Sequence, residues 1–254
     1  MARWEMLTSK ELAGVIQGGN DFAILPIGAT EQHGSHLATG TDTISANLIA
    51  QAAGDETGVL VLPAIPYGCS LGHTDLWPGT ISLSPATLTE LVLEIARWAI
   101  RSGVRRLMFF SGHATNAPSI GSAILQLRHD YPSIRFRQIG IWEISPEVHE
   151  VYTQDGVDIH ANRAETSLLS HLAPEAVHMN LATDEADVTP GLIWSYDMPR
   201  TTRTGVVGRP SEATKQEGAS MYALLVRDFS QLIRAAIVEE WPIPPTSSGL
   251  RRQV

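Results

Sequence analysis

Four side chains able to bind a metal ion, Glu31, His33, His36 and Asp42, fall within twelve residues of one another. Glu31 and His33 are spaced i, i+2, which on extended backbone turns both side chains to the same side. One carboxylate and one imidazole can therefore face a common ion. The nearby Gly34 and Gly40 admit a plainer reading, a surface loop with solvated histidines. Two later clusters weigh against it. Gly112-His113 precedes Ala114-Thr115-Asn116, and Asp158-Ile159-His160 runs into Ala161-Asn162-Arg163-Ala164-Glu165. The turn-rich stretch 66–80 adds His73, Asp75 and Trp77, the composition of a loop that lines a pocket as readily as it packs on a surface.

The elements that must position these residues alternate along the chain. Phe22 to Ile27 reads as a strand that ends directly before the first cluster. Thr43 to Ala53 reads as a helix with Ile44, Leu48 and Ile49 on one stripe, and Val59 to Ile65 as an apolar strand buried on both faces. A helix opened by Ser84-Pro85 runs to Ser102, and the strand Arg106 to Phe110 delivers the second cluster. Ile120 to Arg128 is a helix, Ile134 to Trp142 a strand, and a helix from near Ala161 through His171 carries the third cluster. Thr8-Ser9-Lys10-Glu11 has the form of a capping box for a short first helix. Residues 182–217 read as a long structured loop bearing Gly205-Val206-Val207-Gly208, followed by a last amphipathic helix from Glu217 to Glu240. The pattern predicts a single α/β domain over residues 1–241, an α/β/α sandwich with a mainly parallel central sheet. Residues 242–254 are expected to form a C-terminal tail.

In a parallel α/β sheet the strand-to-helix loops converge outside the carboxyl ends of the strands. Glu31, His33, Asp42 and His113 follow such strand ends, and Glu165 comes from a later helix start. Two imidazoles and three carboxylates without a thiolate suit zinc first, with manganese or iron also compatible. An odd carboxylate can bridge two ions, and paired divalent ions suit hydrolysis because they polarise a carbonyl and hold a hydroxide nucleophile. His36 and Asn116 are expected behind the ligands, orienting them by hydrogen bonds. His73 and Trp77 are expected to touch substrate.

Bulk composition narrows the function classes. The chain has 254 residues, is 43% hydrophobic and carries a formal net charge of -9. A nucleic-acid partner is not expected, because phosphate backbones call for clustered Lys and Arg. No stretch approaches the roughly 20 apolar residues of a membrane span, and the N-terminus lacks an apolar signal region, so a cytoplasmic location is expected. The single cysteine, Cys69, has no intramolecular partner for a disulfide.

Glu31-Gln32-His33-Gly34 with Asp42, Pro78-Gly79-Thr80, Gly112-His113, His160 with Glu165-Thr166-Ser167, and Gly205-Val206-Val207-Gly208 occur in an order that resembles the creatininase (creatinine amidohydrolase) family, across roughly residues 20–240. The resemblance implies a layered α/β/α fold, two divalent metal ions and hydrolysis of an amide, usually cyclic or a formamide. It further implies that Glu31 and His113 hold one metal, His33 the other, and Asp42 bridges them. His160 would stand in the place of the catalytic histidine, protonating the leaving nitrogen or orienting the water, and Trp142 in that of a substrate-covering tryptophan. A homo-oligomer, often a hexamer, is implied as well. Creatininase itself carries a glutamate where this chain has Thr115, so Glu165 is expected to replace that ligand at the reacting centre. The family usually has glycine at the position of Asn162, and the adjacent Arg163 is expected to grip a substrate carboxylate, which would disfavour creatinine. The resulting expectation is a metal-dependent hydrolase that opens a small cyclic amide or lactam. A deformylase or short-peptide peptidase of the same chemistry is the alternative, and a non-catalytic metal-binding scaffold the alternative of another class.

Overall fold

Strand β1 (Phe22–Ile27) is buried along its whole length, as the uninterrupted apolar run FAILPI requires of a strand covered on both faces. A computed structural model describes residues 3–74 and 76–243. The expectations for Asp75 and for the tail beyond Ile243 lie outside the described residues. β1 pairs in parallel with β2 (Leu60–Val61) on one side and with β3 (Arg106–Ser111) on the other, and β3 pairs in parallel with β4 (Arg135–Gly140). The order β2-β1-β3-β4 means that the chain leaves β1 in one direction and returns on its other flank. The carboxyl ends of β1 and β3 therefore meet at the point where a crevice opens.

The alternation of side chains along β1 feeds two cores. Ala23, Leu25 and Ile27 pack with α3 (Pro85–Arg101) and α4 (Ala117–Asp130), and partly buried side chains of α1 (Ser9–Gln17) join them. Phe22 and Ile24 pack with α2 (Thr41–Thr57), α5 (Pro146–Tyr152), α6 (Arg163–Leu172) and α8 (Lys215–Val238). Phe110 of β3 stacks on Phe229 of α8 with ring centroids 4.3 Å apart. The expected α/β/α sandwich with a parallel sheet is thus present. The short α7 (Met198–Thr201) lies within the irregular segment before α8. Among the described residues, no helix is long and apolar enough to cross a membrane.

Among the element boundaries that differ from expectation, three bear on the site. The strand expected over Val59–Ile65 holds ladder pairing only at Leu60–Val61 and returns as a single bridge between Ile27 and Ile65, one residue out of register. Pro63 interrupts it, because proline has no N–H to give a ladder. Helix α2 begins at Thr41 instead of Thr43, so Asp42 lies in its first turn, where the helix dipole favours a carboxylate. β4 ends at Gly140, and Trp142 lies in a 3-10 turn over Ile141–Glu143. The capping box at Thr8 and Glu11 forms as expected, with Thr8 as the N-cap.

Two glycines let α2 press on the strand ends. A Cβ on Gly28 would lie 2.4 Å from the Cα of Thr43, and one on Gly112 would lie 2.3 Å from the carbonyl oxygen of Asp42. No side chain fits either gap, so these positions fix where Asp42 stands. Gly112→Ala is therefore expected to cost about 1–3 kcal/mol, the usual range for overpacking. Gly121→Ala, in helix α4 with its nearest foreign atom 3.8 Å away, is expected to be neutral or stabilising. Urea denaturation of the two variants checks the contrast; equal losses would refute it.

Candidate metal centre

Glu31 leaves β1 on a segment held by two backbone bonds, Gly28 N–H to Ile65 O at 2.9 Å and Glu31 N–H to Thr39 O at 2.9 Å. Its side chain is wholly buried, and neither carboxylate oxygen has a hydrogen-bond partner of acceptable geometry. Three imidazole nitrogens nevertheless stand close to it. His113 Nε2 is 3.1 Å from Oε2, and His73 Nδ1 and His160 Nδ1 are each 3.4 Å from Oε1. His33 Nδ1 meets the carbonyl oxygen of Glu31 at 3.1 Å, which leaves Nε2 turned to Asp42 Oδ1 at 3.1 Å. Asp42 Oδ2 is a further buried oxygen without a hydrogen bond, 3.4 Å from His113 Nδ1. Buried carboxylate oxygens with no donor, ringed by imidazoles, are what a cation would repair. Two groups, Glu31–His33–Asp42 and Glu31–His73–His160, each bring their potential ligand atoms within 4.8 Å of one another. The donor set fits a divalent ion of the zinc or manganese type.

Electrostatics follow from this crowding. Burial pushes the Glu31 carboxyl up to about 7, with His113 opposing the rise and Asp42 adding to it. Burial alone would lower His33, but the Asp42 carboxylate outweighs it and raises the imidazole to about 10. Asp42 is likewise subject to burial, yet His33 holds it below the ordinary carboxylate range. Burial, reinforced by His113 and His33, brings His73 down to about 3. The same kind of environment holds His160 well below an ordinary histidine.

The surrounding elements aim these groups. Asn116, fully buried, donates from Nδ2 to Gly28 O at 3.0 Å and accepts the Cys69 N–H on Oδ1 at 2.9 Å, tying the β1 and β3 ends to the 66–80 loop. Thr115 supplies no carboxylate; its hydroxyl lies 2.6 Å from His113 Nε2 and donates to Cys69 O. Ala161 adopts φ of 50°, a left-handed conformation that costs an alanine energy. Glu165 Oε2 accepts the Ala161 N–H at 2.6 Å while Asn162 caps α6 by accepting the Glu165 N–H at 3.0 Å. Glu165 thus fixes the backbone behind His160, and burial raises its own carboxyl.

A cavity of about 490 Å³ opens over this cluster, lined by Glu31, His33, Asp42, His73, His113, Trp142, His160 and Glu165. The expected metal, proton-handling and covering residues therefore share one space. Trp77 is partly buried but does not reach this wall. His36 is buried beneath it, its Nε2 2.9 Å from Thr166 Oγ1. Arg163 is not brought to the cavity: its guanidinium pairs with Glu212 and Glu217 at 3.1 Å. Among the described residues no Lys or Arg lines the wall, whereas Asp158 and Asp197 do. The grip on a substrate carboxylate expected of Arg163 has no geometry here, and the argument against creatinine built on it falls. Gln32, to which the motif reading assigned no work, is buried with Nε2 2.8 Å from His160 Nε2 and 3.4 Å from His73 Nδ1. A larger cavity of about 750 Å³ lies beside β4, α4 and α8 and contains no histidine.

The sequence matches the family profile described as creatininase, creatinine amidohydrolase, over residues 5–233. It is 29% identical to the creatinine amidohydrolase of Pseudomonas putida, covering 93% of this chain and 96% of that one. It is 34% identical to a mycofactocin precursor peptide peptidase of Mycobacterium tuberculosis, covering 81% of each. Solved creatininase structures in a Zn-Zn form and a Mn form superpose with TM-scores of 0.81 and 0.80, at 27% identity and with 94% of this chain and 99% of theirs covered.

The raised Glu31 carboxyl has a consequence for the metal-free protein. A carboxyl raised from 4.5 to about 7 favours folding below its unfolded pKa, and that contribution is lost as pH rises through about 7. Metal-free Glu31→Gln is expected to gain melting temperature over metal-free wild type, with the gap widening from pH 5 to pH 8. Zinc at about 100 times its dissociation constant should stabilise the wild type by about 2.7 kcal/mol and the variant far less. Equal zinc shifts in calorimetry would refute the assignment of Glu31 to the ion.

Proposed function

Since the chain belongs to the creatininase family, we propose that it is a metal-dependent amidohydrolase that cleaves the C–N bond of a small cyclic amide or lactam. The observation that carries this reading is the Glu31 carboxylate, buried among three imidazoles none of which makes a well-formed hydrogen bond to it. In this reading Glu31, His33, Asp42 and His113 would hold two divalent ions, and Asp42, which faces His33 with one oxygen and His113 with the other, would be shared between them. Such ions supply carbonyl polarisation and a water-derived nucleophile at neutral pH. In the net reaction the amide C–N bond breaks, the oxygen of water joins the carbonyl carbon, and the nitrogen gains a proton. Glu165, whose carboxyl burial has raised, is suited to carry that proton to the leaving nitrogen. His160 is held uncharged by burial and by positive neighbours, so it acts as a neutral N–H donor toward developing negative charge rather than as an acid. Trp142 and the rim of Leu71 and Tyr196 exclude water around the substrate. A homo-oligomer is part of the same reading.

A second substrate class, a formamide or short peptide, draws support from the 34% identity to a peptidase and from the exposed apolar side chains Leu71 and Tyr196 at the cavity rim. Turnover of a panel of lactams, formamides and short peptides by the zinc- and manganese-loaded protein decides between them. No turnover of any member would favour a scaffold instead.

The roles also separate by mutation. Asp42→Asn is expected to lose metal and turnover together. His160→Ala should lower kcat by about 10²–10³, the usual loss of a donor to developing charge, with metal content unchanged by elemental analysis. A His160→Ala protein that loses an ion would make His160 a ligand and overturn its role here.

A further inference from the structure

Gln32 lies between the two residues that most invite a ligand role, yet its own side chain meets a histidine 128 positions away. The polarity of that contact can be worked out from its other end. Gln32 Oε1 is 2.9 Å from the Gly34 N–H, and an N–H can only donate, so this end of the amide is the oxygen. The opposite end is then the NH2 group, which can also only donate. Its two hydrogens face His160 Nε2 at 2.8 Å and His73 Nδ1 at 3.4 Å. Both nitrogens must accept. A ring nitrogen that accepts carries no proton, so the proton of the His160 ring sits on Nδ1, the atom that faces Glu31 Oε1 at 3.4 Å.

The rest of the fold holds the amide in this orientation. Gly205, at φ of 73°, backs directly on it: a Cβ there would lie 2.2 Å from Gln32 Oε1. Val207 N–H donates to His160 O at 2.9 Å, so one stretch, Gly205-Val206-Val207-Gly208, fixes both partners. That stretch is itself anchored by Glu185, whose carboxylate accepts the Thr202 and Thr204 hydroxyls and the Arg203 and Thr204 N–H groups.

We propose that Gln32 is a positioning residue that locks His160 in the tautomer carrying its proton on Nδ1, which keeps His160 out of metal coordination and presents an N–H to the reacting centre. A ring nitrogen that bears a proton has no lone pair for an ion. The ligand group containing His160 is therefore closed, and Glu31, His33, Asp42 and His113 are left to the ions. The role of His160 as an N–H donor, argued above, is the reading on which this rests.

The test uses full-length, zinc-loaded protein with 15N-labelled histidine, His160 being assigned by its disappearance in His160→Asn. Wild type is expected to give an N–H-type nitrogen at Nδ1 and a lone-pair-type nitrogen at Nε2. In Gln32→Glu the carboxylate demands a proton on Nε2, and that nitrogen should change to the N–H type. The same variant should lose kcat on the order of a hundredfold, with KM within about twofold and two ions still bound. Gly205→Ala, which pushes on the amide without touching His160, should shift the His160 signals and kcat in the same direction. A wild-type spectrum with the proton on Nε2 overturns the proposal without recourse to any variant. So does a Gln32→Glu protein whose His160 signals and kcat equal those of wild type. A proton on Nδ1 with full activity in His160→Ala would instead leave the tautomer lock standing and refute the donor role assigned to His160.

Discussion

A carboxylate with no access to water and no hydrogen bond is among the least tolerable groups a protein interior can hold, since burying an isolated charge costs several kcal/mol even after relaxation. Glu31 is such a group, and much of the surrounding structure can be understood as what is needed to keep it where it is. His73, His113 and His160 come from three separate segments and converge on its two oxygens. Asp42 adds a second negative group within the same cluster, which deepens the unfavourable field and draws His33 into its charged form. Two carboxylates and several imidazoles balanced in this way have little to recommend them as a folding core. They make sense as a socket for cations.

The sheet makes that socket affordable. Because the chain exits β1 to one side and re-enters the sheet as β3 on the other, two loop systems diverge from adjacent strand ends and leave a gap that neither fills. Hydrophobic layers on both faces secure the strands well away from the charged cluster. The gap is then trimmed from outside. α2 leans on Gly28 and Gly112, Asn116 ties the loops together, and Glu165 restrains the left-handed Ala161. Each of these contacts is short-range and steric or hydrogen-bonded. The ligand atoms thus rest on packed backbone and on fixed hydrogen bonds.

Much of this was legible in the sequence because it is local. The i, i+2 pair Glu31 and His33, the strand-end position of His113 and the helix start near Glu165 are patterns that a few residues suffice to define. What escaped depends on rotation and distance. Arg163 follows His160 by three residues, but it opens α6, where each step turns the side chain by about 100°, and it is carried round to Glu212 and Glu217. Gln32 has no metal-binding chemistry to announce it, and its partner is far away in the chain; its place inside the ligand motif next to Gly34 was the one available sign. The apolar run 59–65 looked like a full strand because hydrophobicity says nothing of the N–H that Pro63 lacks. Residues 182–217 showed no period because their shape comes from carboxylates such as Glu185 and Asp187 gripping nearby N–H and hydroxyl groups, not from a ladder or helix.

The contact between Gly205 and Gln32 joins the first quarter of the chain to the last, and this has a bearing on when the centre comes into being. Strands β1 to β4 are complete by residue 140, while α5, α6 and α8, which with α2 cover one face of the sheet, are still to come, as are His160 and the stretch that braces it. Contacts of such long separation are made late, after shorter loops have closed. A nascent chain would accordingly possess Glu31, His33, Asp42 and His113 before it possesses a braced His160. The stretch 205–208 leads directly into α8, so the brace on His160 and the closing of the second hydrophobic layer belong to one event, and the centre is finished only when the fold is.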